Sequence, residues 1–553
     1  MNAVIRLLRN VGSNYVKVGV DGLIIIVLTP YLVNELGVAL YAVWVIVQTI
    51  SYYLGFLDLG VADAQVQRHS VLEAQGKTAE LGRLHGTVLT FFAGAGLLAL
   101  GLAALVAVLP TAEWLDIPAD ARGVYGLVLP LLGVAVLFAF VESAMNGLFE
   151  SYQRYDLMNA IDIVGAVLEA TALFAALYLG YGLVGLAVVK ATSSVLGAAA
   201  KTIIARRLVP AYAFPVLGFD REAWRSIRGF SLWNSLNDLV TEGTAHFDKL
   251  LIPVLLGSAL VTPYSLTVML AALVFVAAEP ITGTFFPIAA RRHGKHDTVA
   301  LGVLLTRGTR LVNVATLPAT VVVLSFGTAI LDLWIGAEHV AIAPAVLWLI
   351  ALSFYFSTSL WTSLSVLMGC GRVKQVFSVS VLEVAVVVVL ILLLAPRFGL
   401  TGFAFAGLAA NVAIGLAFFV PQACRLAGVD IGRFVGSALL RPAAAALPAL
   451  ALGFWLAQML EPQAWIATGA AVAGTGALAA ICVFFAATSR WERARQYATA
   501  RRVLGLSSVG AASSVGAASG RDLSSSSKKD QPGVHVRPLQ RGDAAAMARL
   551  EAA

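Results

Sequence analysis

The chain contains little charge and little cysteine for its length. Charged residues make up 12% of its 553 residues, whereas an average soluble domain contains about 25%. Cys370, Cys424 and Cys482 are far apart in the sequence, and each lies in or beside an apolar segment. We therefore expect neither a disulfide framework nor a metal site. The shortage of charge also argues against a large soluble domain.

Sequence motifs that would indicate an enzyme are missing as well. No Gly-rich phosphate-binding loop precedes a Lys-Ser or Lys-Thr pair, which argues against an ATP-driven pump. The connections between apolar segments are too short for a glycosyltransferase domain, or for the large external loop expected of a membrane-embedded ligase. We expect a protein that is not an enzyme and that needs no cofactor.

Apolar residues dominate the chain instead. Hydrophobic residues make up 59% of it, and the mean hydropathy is +0.85. A helix needs about 20 apolar residues to cross a bilayer, and about fourteen segments reach that length. The predicted spans are residues 12–36, 41–61, 87–109, 123–148, 160–179, 183–205, 231–256, 263–289, 311–330, 341–368, 373–394, 401–421, 435–460 and 464–487. This pattern predicts an all-α polytopic membrane protein.

Lysine and arginine are distributed unevenly between the two sides of these spans. With the N-terminus placed in the cytoplasm, nearly all of the 38 Lys and Arg residues fall in cytoplasmic connections, while Arg122 and Arg397 lie outside. Such a bias sets the orientation of a membrane protein. We expect a multi-pass inner-membrane protein with both termini in the cytoplasm. The net charge of +7 then reflects loops that face anionic membrane lipid, not a nucleic-acid partner.

A short internal repeat underlies the spans. The pattern L-G-x-A-L occurs at residues 36–40 and again at residues 256–260, and each copy closes an odd-numbered span. This spacing predicts two pseudo-symmetric six-helix lobes of the same orientation and a final helix pair, with a substrate path between the lobes. The predicted domains are residues 1–207 (N-lobe), 208–430 (C-lobe), 431–488 (helix pair) and 489–553 (a basic, Ser/Gly/Ala-rich, disordered cytoplasmic tail).

Several charged and polar residues fall inside the predicted spans. A charge at the bilayer centre costs about 2.5–3.5 kcal/mol on insertion scales, so such residues pair with one another or line water. Helical spacing places one group on a single face of the first span and another on a single face of the seventh. These residues are Asn14, Lys17 and Asp21 in the first span, and Asn234, Asp238, Glu242 and Lys249 in the seventh. We expect both stripes to line a water-filled cleft; the alternative is a Lys17–Asp21 ion pair that joins two helices.

Four isolated acidic residues lie on otherwise apolar spans. They are Glu142, Glu169, Glu279 and Glu383. Each is a candidate for ion coupling, and the alternative is a carboxyl group that hydrogen-bonds within the bundle.

Short motifs in the first sixty residues and in the seventh and eighth spans resemble a known family. They are Leu7-Leu8-Arg9-Asn10, the segment from Tyr31 to Gly37, Tyr41-Ala42-Val43-Trp44, the segment from Phe56 to Gly60, the segment from Asp248 to Ile252, and Phe286-Pro287. Together they resemble the polysaccharide-exporter family of Wzx-like O-antigen and oligosaccharide flippases, within the MOP/MATE exporter superfamily. The likeness extends over residues 1–490.

The resemblance implies two lobes that alternate access and flip an oligosaccharide linked to undecaprenyl diphosphate. It implies that Lys17, Lys190 and Lys249 neutralise the diphosphate, since lysine binds phosphate as a point charge. Carboxylates such as Asp21 and Glu279 would couple movement to a proton or sodium gradient, and polysaccharide polymerase or assembly proteins are candidate partners. Unlike the related lipid II flippases, the chain has no arginine deep in a span. A cation-coupled multidrug antiporter of the same superfamily and a non-transporting scaffold remain alternatives.

Overall fold

The computed structural model describes residues 3–74, 77–152, 154–208, 214, 216–282, 285–336, 343–459 and 465–488. These residues form helices and short connections, with no strand among them. The described residues all belong to one compact unit, Met1–Ser489. The tail predicted for residues 489–553 lies outside the described residues.

The first lobe begins with a long helix that turns back at a glycine. Its helices are α1 (Ala3–Gly55), α2 (Val61–Ala74), α3 (Thr78–Val108), α4 (Thr111–Trp114), α5 (Arg122–Ser151), α6 (Tyr155–Tyr178) and α7 (Gly182–Leu208). Helix α1 contains the first two predicted spans, because Gly37 interrupts it with φ 72° and ψ 166°. Glycine has no Cβ and adopts a positive φ without steric cost, so it allows this change of direction.

The second lobe has a similar sequence of helices. They are α8 (Arg221–Leu256), α9 (Val261–Ala271), α10 (Leu273–Thr282), α11 (Phe285–Gly294), α12 (Thr298–Ile335), α13 (Pro344–Gly369), α14 (Val373–Ile414) and α15 (Val420–Ala427), with a π-helical turn over Gly415–Phe419. Helix α14 contains two predicted spans and bends at Gly399, where φ is 57°.

A last group of helices packs on α12. It consists of α16 (Ile431–Phe434), a π-helical segment over Val435–Leu440, α17 (Arg441–Met459) and α18 (Trp465–Ala487). A π-turn leaves backbone carbonyls without their usual α-helical donors. Two side chains of α12 donate to them: Asn313 Nδ2 lies 2.7 Å from the carbonyl of Ala438, and Arg310 Nε lies 3.2 Å from that of Ser437.

The expected all-α membrane fold with about fourteen crossings is confirmed. Eleven segments of the described chain are long and apolar enough to span a bilayer. Two of them, Val16–Asp58 and Val373–Ala427, contain the bends at Gly37 and Gly399, so each holds two crossings. Helix α8 (Arg221–Leu256), which is not among the eleven, corresponds to the seventh predicted span. The protein is therefore a multi-pass membrane protein with two six-helix lobes and a helix pair.

The two copies of the L-G-x-A-L repeat have similar backbone conformations. Gly257 at the end of α8 has φ 99° and ψ 147°, close to the values at Gly37. The copies also lie beside each other, since the hydroxyl of Thr262 donates to the carbonyl of Val38 over 2.8 Å. The repeat therefore marks equivalent points of the two lobes, and these points meet.

The segment that connects the lobes is attached to α3. The backbone N–H groups of Gly218 and Asp220 donate to the hydroxyls of Thr90 and Thr87 over 2.8 and 3.0 Å. Gly86 makes this approach feasible, because a Cβ there would lie 2.5 Å from the carbonyl oxygen of Val216.

Helix α8 consequently begins against the first lobe. The Asp220 carboxylate accepts hydrogen bonds from the backbone N–H groups of Ala223 and Glu222, and the Ala223 bond is the main cause that lowers the Asp220 pKa. Trp224 stacks on Phe91 of α3 with 5.1 Å between ring centroids. The domain boundary predicted at residues 207 and 208 stays a prediction.

Candidate substrate and ion-coupling site

Lys17 and Asp21 form an ion pair within α1. Lys17 Nζ lies 2.8 Å from Asp21 Oδ2, and the side chains are 34% and 37% exposed. Their spacing of four residues places them on one helical face, as predicted. Both partners belong to α1, so the pair itself does not join two helices. Their role in lining a cleft stays a prediction.

A buried lysine that the sequence analysis did not select joins three helices. Lys201 Nζ of α7 lies 2.8 Å from Glu142 Oε2 of α5 and 2.8 Å from Asp162 Oδ1 of α6. The Lys201 side chain is 3% exposed, whereas the two carboxylates are 22% and 21% exposed. Glu142, predicted as an isolated acid with a candidate coupling role, therefore has a cationic partner.

Two further predicted residues pair with each other. Lys190 Nζ of α7 lies 2.7 Å from Glu169 Oε1 of α6. Glu142 also interacts electrostatically with Asp162 and Glu169, so the two ion-paired groups are close. We call Glu142, Asp162, Glu169, Lys190 and Lys201 the N-lobe charge cluster.

Helical spacing explains how these side chains meet. Asp162 and Glu169 are seven residues apart on α6, and Lys190 and Lys201 are eleven residues apart on α7, so each pair occupies one face. Gly197 lies on the same face of α7, between the two lysines. A Cβ on Gly197 would collide with Glu142 Oε1, so the glycine provides the space for that carboxylate.

Helix α1 brings its own ion pair to the same depth as the cluster. Asn159 Nδ2 of α6 donates to Ser13 Oγ of α1 over 2.9 Å. Further along both helices, Tyr31 of α1 stacks on Phe174 of α6 with 4.0 Å between centroids. Lys17 and Asp21 lie between these two contacts on α1, and Asp162 and Glu169 lie between them on α6.

The lobes share a core at one end of the bundle. We call it the short-loop end; it carries the connections at residues 34–40, 111–121 and 257–262. A single cluster of buried apolar residues there includes Leu36 and Val43 of α1, Leu129 of α5, Tyr264 of α9 and Ile335 of α12. Ser258 Oγ donates to the carbonyl of Asp116 over 2.6 Å, also across the lobes.

At the opposite end the two lobes have different cores, although the start of α8 belongs to the core of the first lobe. We call it the basic end; of the described residues it carries Lys77, the segment at residues 216–220 and the connection at residues 295–297. One cluster joins α2, α3, α5 and the start of α8, and a second joins α12, α13 and α15. Within the described residues, α11 packs on α10, α12 and α13 of its own lobe. In the part of the chain that the structure describes, the lobes therefore share one core at the short-loop end, whereas at the basic end only the start of α8 joins the second lobe to the core of the first.

The remaining charged candidates lie in the second lobe. Asp248 accepts a hydrogen bond from the hydroxyl of Tyr264, and the backbone N–H of Lys249 donates to Asp248 Oδ1 over 2.8 Å. Glu279 is exposed and Glu383 is half-buried. In the part of the chain that the structure describes, neither glutamate forms an ion pair with the N-lobe charge cluster.

Four of the predicted site residues have side chains outside the described part of the structure. They are Asn14 on α1 and Asn234, Asp238 and Glu242 on α8. Their positions in the two helices agree with the expected spans, and their roles stay predictions.

Comparison with known proteins defines the family. A family model described as a polysaccharide biosynthesis protein matches residues 33–344, which is more than half of the chain. The chain belongs to the polysaccharide biosynthesis protein family. The resemblance derived from the sequence motifs is confirmed at this level. No curated protein matches the chain.

Solved structures place this family member in a transporter fold. The lipid II flippase MurJ in an inward closed conformation aligns with a TM-score of 0.65 at 12% identity, over 91% of this chain and 100% of that one. An inward-facing MATE multidrug resistance transporter of the MOP superfamily aligns with a TM-score of 0.58 at 14% identity, over 72% and 93%. A point mutant of the Vibrio cholerae MATE transporter VcmN gives 0.54 at 17% identity, over 77% and 99%. These alignments show that the chain shares its fold with these three proteins.

Proposed function

We propose that the protein flips an oligosaccharide linked to undecaprenyl diphosphate across the bacterial inner membrane by alternating access. The glycan would enter a surface polysaccharide such as O-antigen, capsule or exopolysaccharide. The observation that carries the proposal is how the two lobes pack against each other. Membership in the polysaccharide biosynthesis protein family supports it. The lobes share a core at the short-loop end, whereas at the basic end the described residues form a different core in each lobe and only the start of α8 joins the second lobe to the first. Such packing is expected of a transporter that opens on one side.

The distribution of basic residues orients this open side. Cytoplasmic connections retain lysine and arginine, so the basic end faces the cytoplasm, where lipid-linked glycans are assembled. A substrate then enters the cleft between the separate cores. A diphosphate and a sugar chain need a wet cleft, while the polyprenyl tail stays in lipid.

The lysines of the first lobe are the groups proposed to meet the diphosphate. Lys17 and Lys190 are each paired with a carboxylate, and each is about one-third exposed (34% and 36%). An incoming diphosphate, with more negative charge than a carboxylate, can replace Asp21 and Glu169 as the partner of these ammonium groups. Lys201 is almost completely buried and holds the helices together instead. Lys249 of α8 remains a candidate from the other side of the cleft.

Charge balance favours coupling to a cation. The N-lobe charge cluster contains three carboxylates and two ammonium groups, and the Lys17–Asp21 pair is neutral. With every group ionised, one negative charge is left over. Binding of a proton or a sodium ion would neutralise it, which lowers the cost of placing the cluster in a membrane. Glu142, Asp162 and Glu169 are therefore stronger coupling candidates than Glu279 and Glu383.

The same surplus of carboxylates supports a second candidate, a cation-coupled multidrug antiporter. An excess negative charge would attract organic cations as well as a coupling ion. Membership in the polysaccharide biosynthesis protein family favours the flippase.

Complementation separates the two candidates. A strain that lacks its own oligosaccharide flippase would receive the wild type, Lys17→Ala, Lys190→Ala or, as a matched control, Lys77→Ala, which removes a lysine from an exposed pair at the basic end. We expect surface polysaccharide with the wild type and the control, and its loss with the two cleft variants at equal membrane levels. Export of a cationic dye without restored polysaccharide would establish the antiporter instead.

A further inference from the structure

A proline in α1 leaves one backbone carbonyl without its helical partner. In an α-helix each carbonyl accepts from the N–H four residues later. Pro30 lies inside α1 and has no N–H, so the carbonyl of Ile26 has no donor within its own helix. An unsatisfied carbonyl is costly in the apolar part of a membrane.

The missing donor comes from the other lobe. Trp334 Nε1, near the end of α12, lies 2.7 Å from the carbonyl oxygen of Ile26. The indole N–H can only donate, so its partner must be an acceptor such as this freed carbonyl. Trp334 and Leu28 both pack at the margin of the core that the lobes share. The hydrogen bond therefore forms only while the lobes are together at the short-loop end.

We propose that Pro30 and Trp334 form a latch that holds the short-loop end closed, and that this bond breaks whenever the lobes part there. The latch rests on the alternating-access part of the proposed function and is independent of which substrate is carried. In the parted state, water entering the cleft replaces the indole as the donor to Ile26. A donor that is lost on opening biases the equilibrium toward the closed state, as any interaction present in only one of two states does.

Two other hydrogen bonds also join the lobes. Thr262 donates to the carbonyl of Val38, and Ser258 to that of Asp116. Neither acceptor lies four residues before a proline, so neither bond replaces a helical N–H donor that a proline has removed. Of these three bonds, the Trp334 bond alone can be made redundant by a substitution on the acceptor's own helix, and this property makes it testable.

Two substitutions test the latch separately: one removes the Trp334 donor, and the other supplies the Ile26 carbonyl with a donor from its own helix. Trp334→Phe removes the N–H and keeps an aromatic ring. Pro30→Ala returns an N–H to position 30, so that the carbonyl of Ile26 is satisfied within α1. Trp348→Phe is the matched control, because Trp348 Nε1 donates over 2.9 Å to the carbonyl of Leu324 within one lobe.

The readout is the distance between spin labels on the two lobes of the purified protein without substrate. Val108 at the end of α3 and Phe398 in the bend of α14 are exposed, at 86% and 62%, and accept labels after the native cysteines are replaced by serine. Pulsed electron paramagnetic resonance then gives the populations with the short-loop end closed and open. Thermal unfolding confirms that each variant is folded.

We expect Trp334→Phe to raise the open-to-closed ratio about tenfold, the value of one net hydrogen bond. In the Pro30→Ala background the same substitution should change the ratio less than about twofold, and Trp348→Phe should leave it unchanged. An equal effect of Trp334→Phe in both backgrounds, or no effect in either, would overturn the latch. Because no substrate is present, these outcomes do not depend on whether the protein flips a glycan.

Discussion

Lys201 Nζ lies 2.8 Å from Glu142 Oε2, and this ion pair joins α7 to α5 inside the first lobe. Asp162 of α6 binds the same nitrogen from a third helix. A charge that is almost completely buried here depends on its partners, because its own hydration has been lost. The arrangement implies that this part of the lobe keeps its geometry only while the charges balance.

Removal of the Lys201 ammonium should destabilise the lobe. Lys201→Met leaves two carboxylates facing each other without their cation, and breaking a buried pair costs about 3 kcal/mol. We expect a clear drop in the apparent Tm of the purified protein. Lys190→Met, which breaks a more exposed pair, should cost about 1 kcal/mol, and Lys201→Arg should lie near wild type. Equal Tm values for Lys201→Met and wild type would show that the cluster contributes no stability.

Gly197 should be intolerant of even a methyl group. In Gly197→Ala the new Cβ meets the carboxylate of Glu142, so Glu142 must move and weaken its bond to Lys201. Transport and Tm should both fall. Gly165→Ala on α6 is the matched control: nothing lies within 4 Å of a Cβ there, and alanine stabilises a helix by up to about 1 kcal/mol relative to glycine. If both alanine variants behave alike, Gly197 has no special role in placing Glu142.

Attachment of the interlobe segment to α3 can be tested in the same way. A Cβ at position 86 would lie 2.5 Å from the carbonyl oxygen of Val216, so Gly86→Ala should displace the segment and expose it to limited proteolysis. Gly94→Ala on the same helix has no atom within 4 Å of its Cβ and should match wild type. Unchanged cleavage in Gly86→Ala would contradict the docking.

His69 should make stability depend on pH. It is fully buried in α2, stacked on His85 at 5.1 Å and edge-on to Tyr152 at 5.0 Å, and burial lowers the His69 pKa to about 4. The unfolded chain therefore binds the proton near pH 6.5 and the folded chain only near pH 4, so folding stability falls as pH drops between these values.

The shift from 6.5 to about 4 corresponds to about 3 kcal/mol. Urea or thermal unfolding of wild type and His69→Phe at about pH 7.5 and about pH 5 would measure the part of this free energy that is lost above pH 5, about 2 kcal/mol. The variant should lose less stability than wild type on acidification, and an identical loss in both would show that other groups cause it.

The sequence alone predicted the features that depend on residues close together along the chain. Apolar runs of about 20 residues placed the crossings, and the repeated L-G pattern identified Gly37 and Gly257, which share a positive φ. Spacing along one helix also placed Lys17 and Asp21 together.

Contacts between helices were harder to predict. Lys201 and Asp162 lie near the basic ends of their predicted spans, where charged residues are common, and neither stood out there. The spacing of eleven residues between Lys190 and Lys201, with Gly197 on the same face, was an available signal. Which acid each lysine meets depends on how α5, α6 and α7 pack, and no sequence period encodes that. The hydrogen bond from Trp334 to Ile26 could not be predicted either, because its donor and its acceptor belong to different lobes.

The most direct test of the central claim is flipping by the purified protein in proteoliposomes. Vesicles would contain an oligosaccharide linked to undecaprenyl diphosphate, and a membrane-impermeant oxidant would report the fraction of glycan in the outer leaflet. After selective modification of the outer leaflet, wild-type vesicles should expose the remaining glycan at a rate that Lys17→Ala and Lys190→Ala reduce and Lys77→Ala does not. Exposure no faster than in protein-free vesicles, with a cation gradient of either sign imposed, would contradict the account.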